Sequence, residues 1–98
     1  MKALVLTDSM KLEYTEVASP ALRGPDDVLV RVRAAAICGS DVHGMDGSTG
    51  RRRPPVIMGH EAAGEIVEAG PGVRGFRVGQ RVTFDSTEYC GTCFHCLR

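Results

Sequence analysis

Hydrophobic and polar residues alternate along this chain in short stretches, which is the pattern of β-strands. Residues 2–7 and 11–17 are rich in strand formers and are separated by a polar turn at Asp8 and Ser9, so they predict a first hairpin. Residues 28–33 alternate most clearly, with Val28, Val30 and Val32 on one predicted face and arginines on the other. The clearest strand of the chain is therefore expected there.

The rest of the pattern predicts further short strands and one long connection. Residues 64–69 and 76–84 predict two strands that are joined through a turn at residues 70–72. Between Cys38 and Gly59, four glycines, three consecutive arginines and a proline pair predict a long irregular connection. Long loops in compact domains are often functional. Many short strands with Gly and Pro turns indicate a mainly β, barrel-like fold.

Length and charge exclude several classes of protein. The 98 residues are enough for one small domain, and 12 basic residues balance 12 acidic ones. A formal charge of zero provides no general attraction to nucleic acid or to an anionic membrane. No apolar stretch approaches the roughly 20 residues of a membrane-spanning helix. We therefore expect a cytoplasmic protein with no nucleic acid and no membrane as partners.

Cysteine placement introduces candidate chemistry. Cys90, Cys93 and Cys96 lie within seven residues, whereas Cys38 is far upstream. Disulfide frameworks usually spread their cysteines along a secreted chain, so this cluster favours metal binding, with free or redox-active thiols as the alternative. A structural zinc needs four protein ligands. The side chain of His95 should leave the backbone in a different direction, so a fourth cysteine is expected beyond the end of the chain.

A second set of potential ligands is dispersed. Cys38 is followed some twenty residues later by His60 and Glu61. Cysteine, histidine and carboxylate side chains all bind zinc, and a catalytic zinc uses three protein ligands with an open fourth position. From spacing alone, a buried Cys38 and a turn-capping His60 are an equal alternative.

The motifs resemble those of the zinc-dependent medium-chain alcohol dehydrogenases. Residues 59–73 (GHEAAGEIVEAGPGV) fit the family's zinc signature, and residues 78–82 (VGQRV) resemble its Val-Gly-Asp-Arg-Val element. The order of the motifs also matches, with a Cys-Gly-x-Asp-x-His segment before Gly-His-Glu and the three-cysteine loop after it. The resemblance covers residues 2–98 and lies nearest the polyol (sorbitol) and threonine dehydrogenase branches.

This resemblance implies a fold and a domain organisation. The expected fold is a mainly β, GroES-like, partly open β-barrel with a cysteine-rich structural zinc loop at its C-terminal end. Residues 1–98 would then form an incomplete N-terminal catalytic domain, inactive alone. The Gly-x-Gly-x-x-Gly dinucleotide fingerprint of the family's second domain is expected to be absent from this chain, so no cofactor-binding residue is predicted. The full-length protein is expected to be a homo-oligomer.

The resemblance also implies metal ligands. Cys38 and His60 correspond to ligands of a catalytic Zn²⁺, with another ligand downstream of the chain, and Glu61 is associated with the metal directly or through water. Asp41 matches the carboxylate that accepts the other ring proton of the ligand histidine. An acid at a helix N-terminus is its alternative interpretation, and both can hold together. Cys90, Cys93 and Cys96 would bind a structural Zn²⁺.

Two residues are implied in the reaction itself. Ser40 matches the hydroxyl that hydrogen-bonds the substrate alcohol, and His43 matches the histidine that passes the proton toward solvent. Taken alone, Ser40 would be interpreted as a helix cap and His43 as an exposed loop residue. The implied reaction transfers hydride reversibly between a small secondary alcohol or polyol and NAD or NADP.

Two features fit the resemblance less directly. Gly39 stands where some family members place a basic residue that faces the cofactor pyrophosphate, so that contact must come from elsewhere or be absent. Arg51, Arg52 and Arg53 form a cluster that suits phosphate binding, although a solvated loop with three charges in water is the favoured interpretation.

Two other functions remain to be tested against the structure. One is a zinc-free quinone or enoyl reductase relative on the same barrel. The other is a non-catalytic GroES-like interaction module. Both are expected to lack metal, so zinc content separates them from a dehydrogenase.

Overall fold

The chain forms two small antiparallel sheets and one short helix. The computed structural model describes residues 1–97. In chain order the elements are β1 (Lys2–Asp8), β2 (Lys11–Glu16), β3 (Val28–Ala36), α1 (Gly39–Gly44), β4 (Val56–Ile57), β5 (Glu61–Ala69) and β6 (Arg81–Thr83). Arg98, the last residue of the predicted cysteine-rich segment, lies outside the described residues. The predicted mainly β class with short strands is confirmed.

The first sheet has the strand order β2-β1-β4. Its β1–β2 hairpin pairs Lys2 with Glu16 and Leu6 with Leu12, as the sequence predicts. Leu6 is fully buried and Ala3 is 8% exposed, so these two side chains anchor the sheet to the core. The two residues of β4 pair with the other edge of β1 and return the chain from the long connection to the sheet.

The second sheet has the order β3-β5-β6, again antiparallel. Its β3–β5 ladder runs from Val28 opposite Ala69 to Ala36 opposite Glu61. Both strands are longer than predicted. The ladder contains two register shifts. The first leaves Val67 of β5 unpaired, and the second leaves Arg33 of β3 unpaired, so only the second interrupts the predicted alternation of β3.

The predicted strand over residues 76–84 is wrong in its first half, because only Arg81–Thr83 are extended and paired. Gly79 has a φ of 92°, a left-handed conformation that ends an extended strand. Its N–H donates to the carbonyl of Ile66, and the N–H of Ile66 donates to the carbonyl of Gln80. A turn therefore precedes β6.

The predicted irregular connection between Cys38 and Gly59 is also wrong in part, because it contains α1 and β4. The N–H of Cys38 donates to the carboxylate of Asp41 at 3.2 Å, which supports the first turn of the helix. The sequence pattern did not predict α1, because a helix of six residues is too short to show the repeating apolar positions by which a longer helix is identified.

One side of the barrel is open. An apolar cavity of about 540 Å³ lies between the loop at residues 20–23, β3 and the segment around β6, with Ile66 at its buried side. Phe76 and Phe84 line the same cavity and are each more than half exposed. Within the described residues, no helix is long and apolar enough to cross a membrane.

We expect Gly64→Ala to destabilise the protein by about 1–3 kcal/mol, because an added Cβ would overlap the backbone carbonyl of Arg31 in the neighbouring strand. Urea unfolding of the full-length protein measures the effect. Gly24→Ala is the matched control, since its Cβ meets nothing nearer than 3.9 Å. Equal unfolding midpoints for the two variants would contradict the close approach of β3 and β5.

Candidate metal centres

The ladder between β3 and β5 brings the dispersed ligands together. Ala36 lies opposite Glu61 at the end of this ladder. Cys38 follows β3 and directly precedes α1, while His60 directly precedes β5. The two segments, more than twenty residues apart in sequence, therefore meet at one corner of the sheet.

Three potential ligands converge at this corner. One ligand atom each of Cys38, His60 and Glu61 lies within 4.8 Å of the other two. The thiol and the imidazole are half-buried, and the carboxylate is exposed. A thiolate, an imidazole and a carboxylate form a donor set that zinc accepts, and their mutual distances suit a single ion. The residues present therefore fit a zinc ion.

The hydroxyl of Ser40 lies beside the first two ligands. Its Oγ is 3.4 Å from the Sγ of Cys38 and 3.4 Å from the Nε2 of His60. Ser40 is the second residue of α1, so the helix turn that follows the cysteine sets this position.

Asp41 connects the helix to the histidine. Its Oδ2 accepts the N–H of Cys38, and its Oδ1 lies 3.2 Å from the Nδ1 of His60. Asp41 is only 7% exposed. The structure thus contains both contacts expected for the carboxylate of Asp41. One is to the backbone at the beginning of α1, and the other is to the Nδ1 of His60.

Arg52 belongs to the same cluster. Its Nη2 lies 3.1 Å from the Oδ1 of Asp41 and 3.4 Å from the Oγ of Ser40. Its side chain is 19% exposed. The solvated-loop interpretation is therefore wrong for Arg52, because its charge is paired with a buried carboxylate. Arg51 lines the cleft beside this cluster.

The hydrogen bonds of the cluster shift three titrations. The hydroxyl and the backbone of Ser40, and then His60, lower the pKa of the Cys38 thiol. The hydrogen bond with Cys38 raises the pKa of His60, which burial opposes and the negative charge of Asp41 supports. Burial alone would raise the pKa of Asp41, but hydrogen bonds from Arg52 and from the N–H of Cys38 outweigh burial and lower it. A metal ion binds the thiolate and the neutral imidazole, so metal binding at this centre would release any proton that Cys38 or His60 carries.

A cleft of about 890 Å³ opens next to these residues. It is lined by Cys38, Gly39, Ser40, Asp41, His43, Thr49, Arg51, Arg52, Ile57, Met58, Gly59, His60 and Ser86. His43 therefore shares the cleft with Ser40, one helical turn away on α1. Its backbone carbonyl accepts the hydroxyl of Ser48 at 3.2 Å. A relay role for the His43 imidazole stays a prediction.

The three C-terminal cysteines form the second centre. The Sγ of Cys96 lies 3.7 Å from that of Cys90 and 3.4 Å from that of Cys93. A tetrahedral site with Zn–S bonds of about 2.3 Å spaces its sulfurs about 3.8 Å apart. The thiols thus form three corners that fit one zinc ion, and His95 is outside the group of converging ligands. Among residues 1–97, all cysteines are free thiols.

The thiol of Cys90 is the most strongly perturbed of the cluster. Hydrogen bonds from the backbone and hydroxyl of Thr92, together with the N–H of Cys93, lower the pKa of Cys90 to about 6. The N–H of Cys93 lies 3.3 Å from its Sγ. A thiolate that is already present at neutral pH binds metal without first losing a proton.

One sequence prediction needs correction. The letters of a Gly-x-Gly-x-x-Gly fingerprint do occur in the chain, at Gly70, Gly72 and Gly75. A dinucleotide site also needs a helix that begins at these glycines, and the described residues that follow form turns before β6. The N–H groups of Gly70 and Gly72 donate instead to the backbone carbonyls of Asp27 and Pro25. These glycines therefore let two loops pack together.

The comparisons identify the family. The alcohol dehydrogenase GroES-like domain family matches residues 24–98, and the chain belongs to this family. This agrees with the open β-barrel and the C-terminal cysteine cluster.

Known relatives share most of this chain. The L-threonine 3-dehydrogenase of Pyrococcus furiosus is 46% identical over 89 residues, which cover 88% of this chain and 25% of that protein. The zinc dependent alcohol dehydrogenase 2 of Streptococcus pneumonia, solved in the apo form, matches 99% of the chain and 28% of its own, with 32% identity and a TM-score of 0.89. The Helicobacter pylori protein CAD, solved with NADP(H), matches 98% of the chain and 28% of its own, with 32% identity and a TM-score of 0.82. The chain thus spans about a quarter of its relatives' length.

Because its folded-state pKa is about 6, Cys90 should be largely thiolate at neutral pH in metal-free protein. Its alkylation by iodoacetamide should rise through about pH 6 and level off near neutrality. Mass spectrometry of chelator-treated protein measures the modified fraction at each pH. Thr92→Val should move the midpoint upward, because it removes the hydroxyl donor. A midpoint near the ordinary cysteine value in the unsubstituted protein would contradict this hydrogen bonding.

Proposed function

We propose that this chain is the zinc-binding part of the catalytic domain of a longer dehydrogenase. That protein would transfer hydride between a small secondary alcohol or polyol and NAD or NADP. The convergence of Cys38, His60 and Glu61 beside the hydroxyl of Ser40, at the edge of an open cleft, carries the proposal. Family membership and the zinc and NADP(H) named among its relatives support it.

Each residue of the first centre has a proposed role. Cys38 and His60 hold the catalytic zinc, and Glu61 contributes its carboxylate directly or through water. When bound, the zinc ion supplies the Lewis acidity that lowers the pKa of an alcohol hydroxyl, and the nicotinamide supplies the hydride acceptor. Asp41 holds His60 through its Nδ1, so that Nε2 faces the metal site and Ser40.

Proton movement is assigned to α1. The Oγ of Ser40 takes the proton of the substrate hydroxyl while its own hydroxyl proton passes toward His43, which allows hydride to leave the carbinol carbon. The reverse reaction returns the proton by the same route. His43, one turn further along the helix and in the same cleft, receives the proton and releases it to solvent. Ser40 and His43 are the proposed catalytic residues.

Cys90, Cys93 and Cys96 are proposed to hold a structural zinc, with a fourth cysteine supplied by chain that follows residue 98. The open apolar cavity beside β3 and β6 is proposed to be covered by further chain of the same protein, in keeping with relatives about four times longer. The dinucleotide is proposed to bind to a second domain. Residues 1–98 would accordingly be an incomplete catalytic domain, inactive by itself.

The wider context follows from the same proposal. The relatives' printed names concern small-molecule alcohols and threonine, so a small hydroxylated substrate is proposed. Four free thiols, three of them in a metal-binding arrangement, fit a reducing compartment such as the cytoplasm. A homo-oligomeric state of the full-length protein is part of the proposal.

The two rival functions are disfavoured by the same observation. A zinc-free quinone or enoyl reductase needs neither group of converging ligands, and an interaction module needs no hydroxyl placed 3.4 Å from a thiol and an imidazole. The chain contains both groups.

Metal content tests the proposal directly. In full-length protein purified without chelator, Cys38→Ser and Cys93→Ser should each lower the bound zinc by one ion per subunit. Elemental mass spectrometry measures the zinc content. Cys38→Ser should also abolish alcohol-dependent NAD(P)H formation. Cys93→Ser should chiefly lower the melting temperature, because a structural zinc contributes folding energy. Unsubstituted protein that contains no zinc, and that oxidises no secondary alcohol, polyol or threonine with either nucleotide, would refute the proposal.

Ser40→Ala should lower kcat for alcohol oxidation about 100-fold or more, with zinc content unchanged, because the proton acceptor is lost. Steady-state kinetics with a saturating nucleotide measure the effect. Ser9→Ala is the matched control, since its hydroxyl donates to the backbone carbonyl of Asp46 at 3.4 Å and is not among the groups that line the cleft. An unchanged kcat in Ser40→Ala would rule out the serine as the proton acceptor.

A further inference from the structure

Arg52 connects three parts of the site through one nitrogen. It lies in the loop between α1 and β4, and its Nη2 contacts the Oδ1 of Asp41 and the Oγ of Ser40. The same Oδ1 lies 3.2 Å from the Nδ1 of His60. The guanidinium of Arg52 therefore contacts both Asp41, which lies against His60, and the hydroxyl of Ser40.

The carboxylate of Asp41 needs this partner. Asp41 is 7% exposed, so water solvates it poorly, and a buried charge without a partner is costly. Its Oδ2 is engaged by the N–H of Cys38, which leaves Oδ1 to face Arg52 and His60 together. Removal of the guanidinium would leave Oδ1 with the imidazole alone, so the carboxylate would lose the charged partner that helps to hold it against His60.

The helix leaves space for the arginine stem. Gly44 is buried at the C-terminal end of α1, and a Cβ there would lie 2.6 Å from the Cγ of Arg52. Gly44 has no positive φ, so the backbone itself does not require glycine. Close passage of the Arg52 stem therefore accounts for the glycine, and the contact points to an arginine held in one position.

We propose that Arg52 is a positioning residue of the first metal centre, holding Asp41 against His60 and fixing the hydroxyl of Ser40. The inference rests on the proposed function, since it concerns the zinc site that Cys38 and His60 form. It assigns to Arg52 a task other than phosphate binding, because its guanidinium is already occupied by a carboxylate.

Zinc affinity tests the proposal in the full-length protein. Arg52→Gln should weaken Zn²⁺ binding at the first centre about tenfold, because loss of an outer partner loosens the ligand histidine. Competition with a chromogenic chelator measures the dissociation constant below the unfolding temperature. The absorption bands of Co²⁺ substituted at this centre should shift as the imidazole reorients, whereas a purely structural role would lower only the melting temperature. Arg52→Lys, which retains the charge, should recover part of the affinity.

Two further variants complete the test. Arg53→Gln is the matched control, because the Nε of Arg53 donates only to the carbonyl of Gly50 at 3.4 Å. Gly44→Ala should weaken zinc binding although it removes no polar group, because its Cβ displaces the Arg52 stem. Alanine also has a higher helix propensity than glycine, so the helix itself should not be weakened. If Arg52→Gln does not fold, Gly44→Ala decides the question alone.

The outcomes separate the inference from the function on which it rests. If Cys38→Ser loses no zinc relative to the unsubstituted protein, the proposed function fails. If Cys38→Ser loses zinc but Arg52→Gln and Gly44→Ala retain the unsubstituted affinity and Co²⁺ spectrum, only the role of Arg52 is overturned. An equal loss in Arg53→Gln would overturn it as well.

Discussion

The site depends on the buried carboxylate of Asp41. It accepts the N–H of Cys38 with one oxygen and faces His60 and Arg52 with the other. Cys38 lies just before α1, Arg52 lies in the loop between α1 and β4, and His60 lies just before β5. A charge that is 7% exposed requires all of them, because each lost partner would leave it poorly solvated. The same contacts that satisfy the charge therefore align a thiol, an imidazole and a hydroxyl.

The sheets provide the frame for this alignment. β3 and β5 form the longest ladder of the described residues, and its last pair, Ala36 with Glu61, lies next to the ligands. Gly64 lets β5 approach β3 closely. The potential ligands thus lie directly at the end of the β3–β5 ladder. A rigid scaffold that positions functional loops is a common arrangement. One side of the barrel is open, with Phe76 and Phe84 exposed beside an apolar cavity.

The two metal centres differ in how they are built. Cys90, Cys93 and Cys96 converge through local spacing, within a loop that brings sulfurs to 3.4 and 3.7 Å. Cys38 and His60 converge because the β3–β5 ladder brings their segments together and Asp41 contacts both residues. The first arrangement suits a site that closes around its ion, and the second leaves a cleft of about 890 Å³ beside the ligands. This contrast parallels the proposed structural and catalytic roles.

The mainly β class, the first hairpin and the cysteine cluster can be predicted from the amino-acid order alone, because two-residue alternation and short ligand spacing are local properties. Resemblance in the Gly-His-Glu segment indicated the family. The meeting of Cys38, His60 and Glu61 is visible only in the folded chain. The same is true of the contact between Arg52 and Asp41, which replaces the solvated arginine that the sequence favoured. The structure also shows that Gly70 and Gly72 pack against a loop and that no helix begins at them. Such contacts depend on strand register and burial, which link residues far apart in sequence and leave no local pattern.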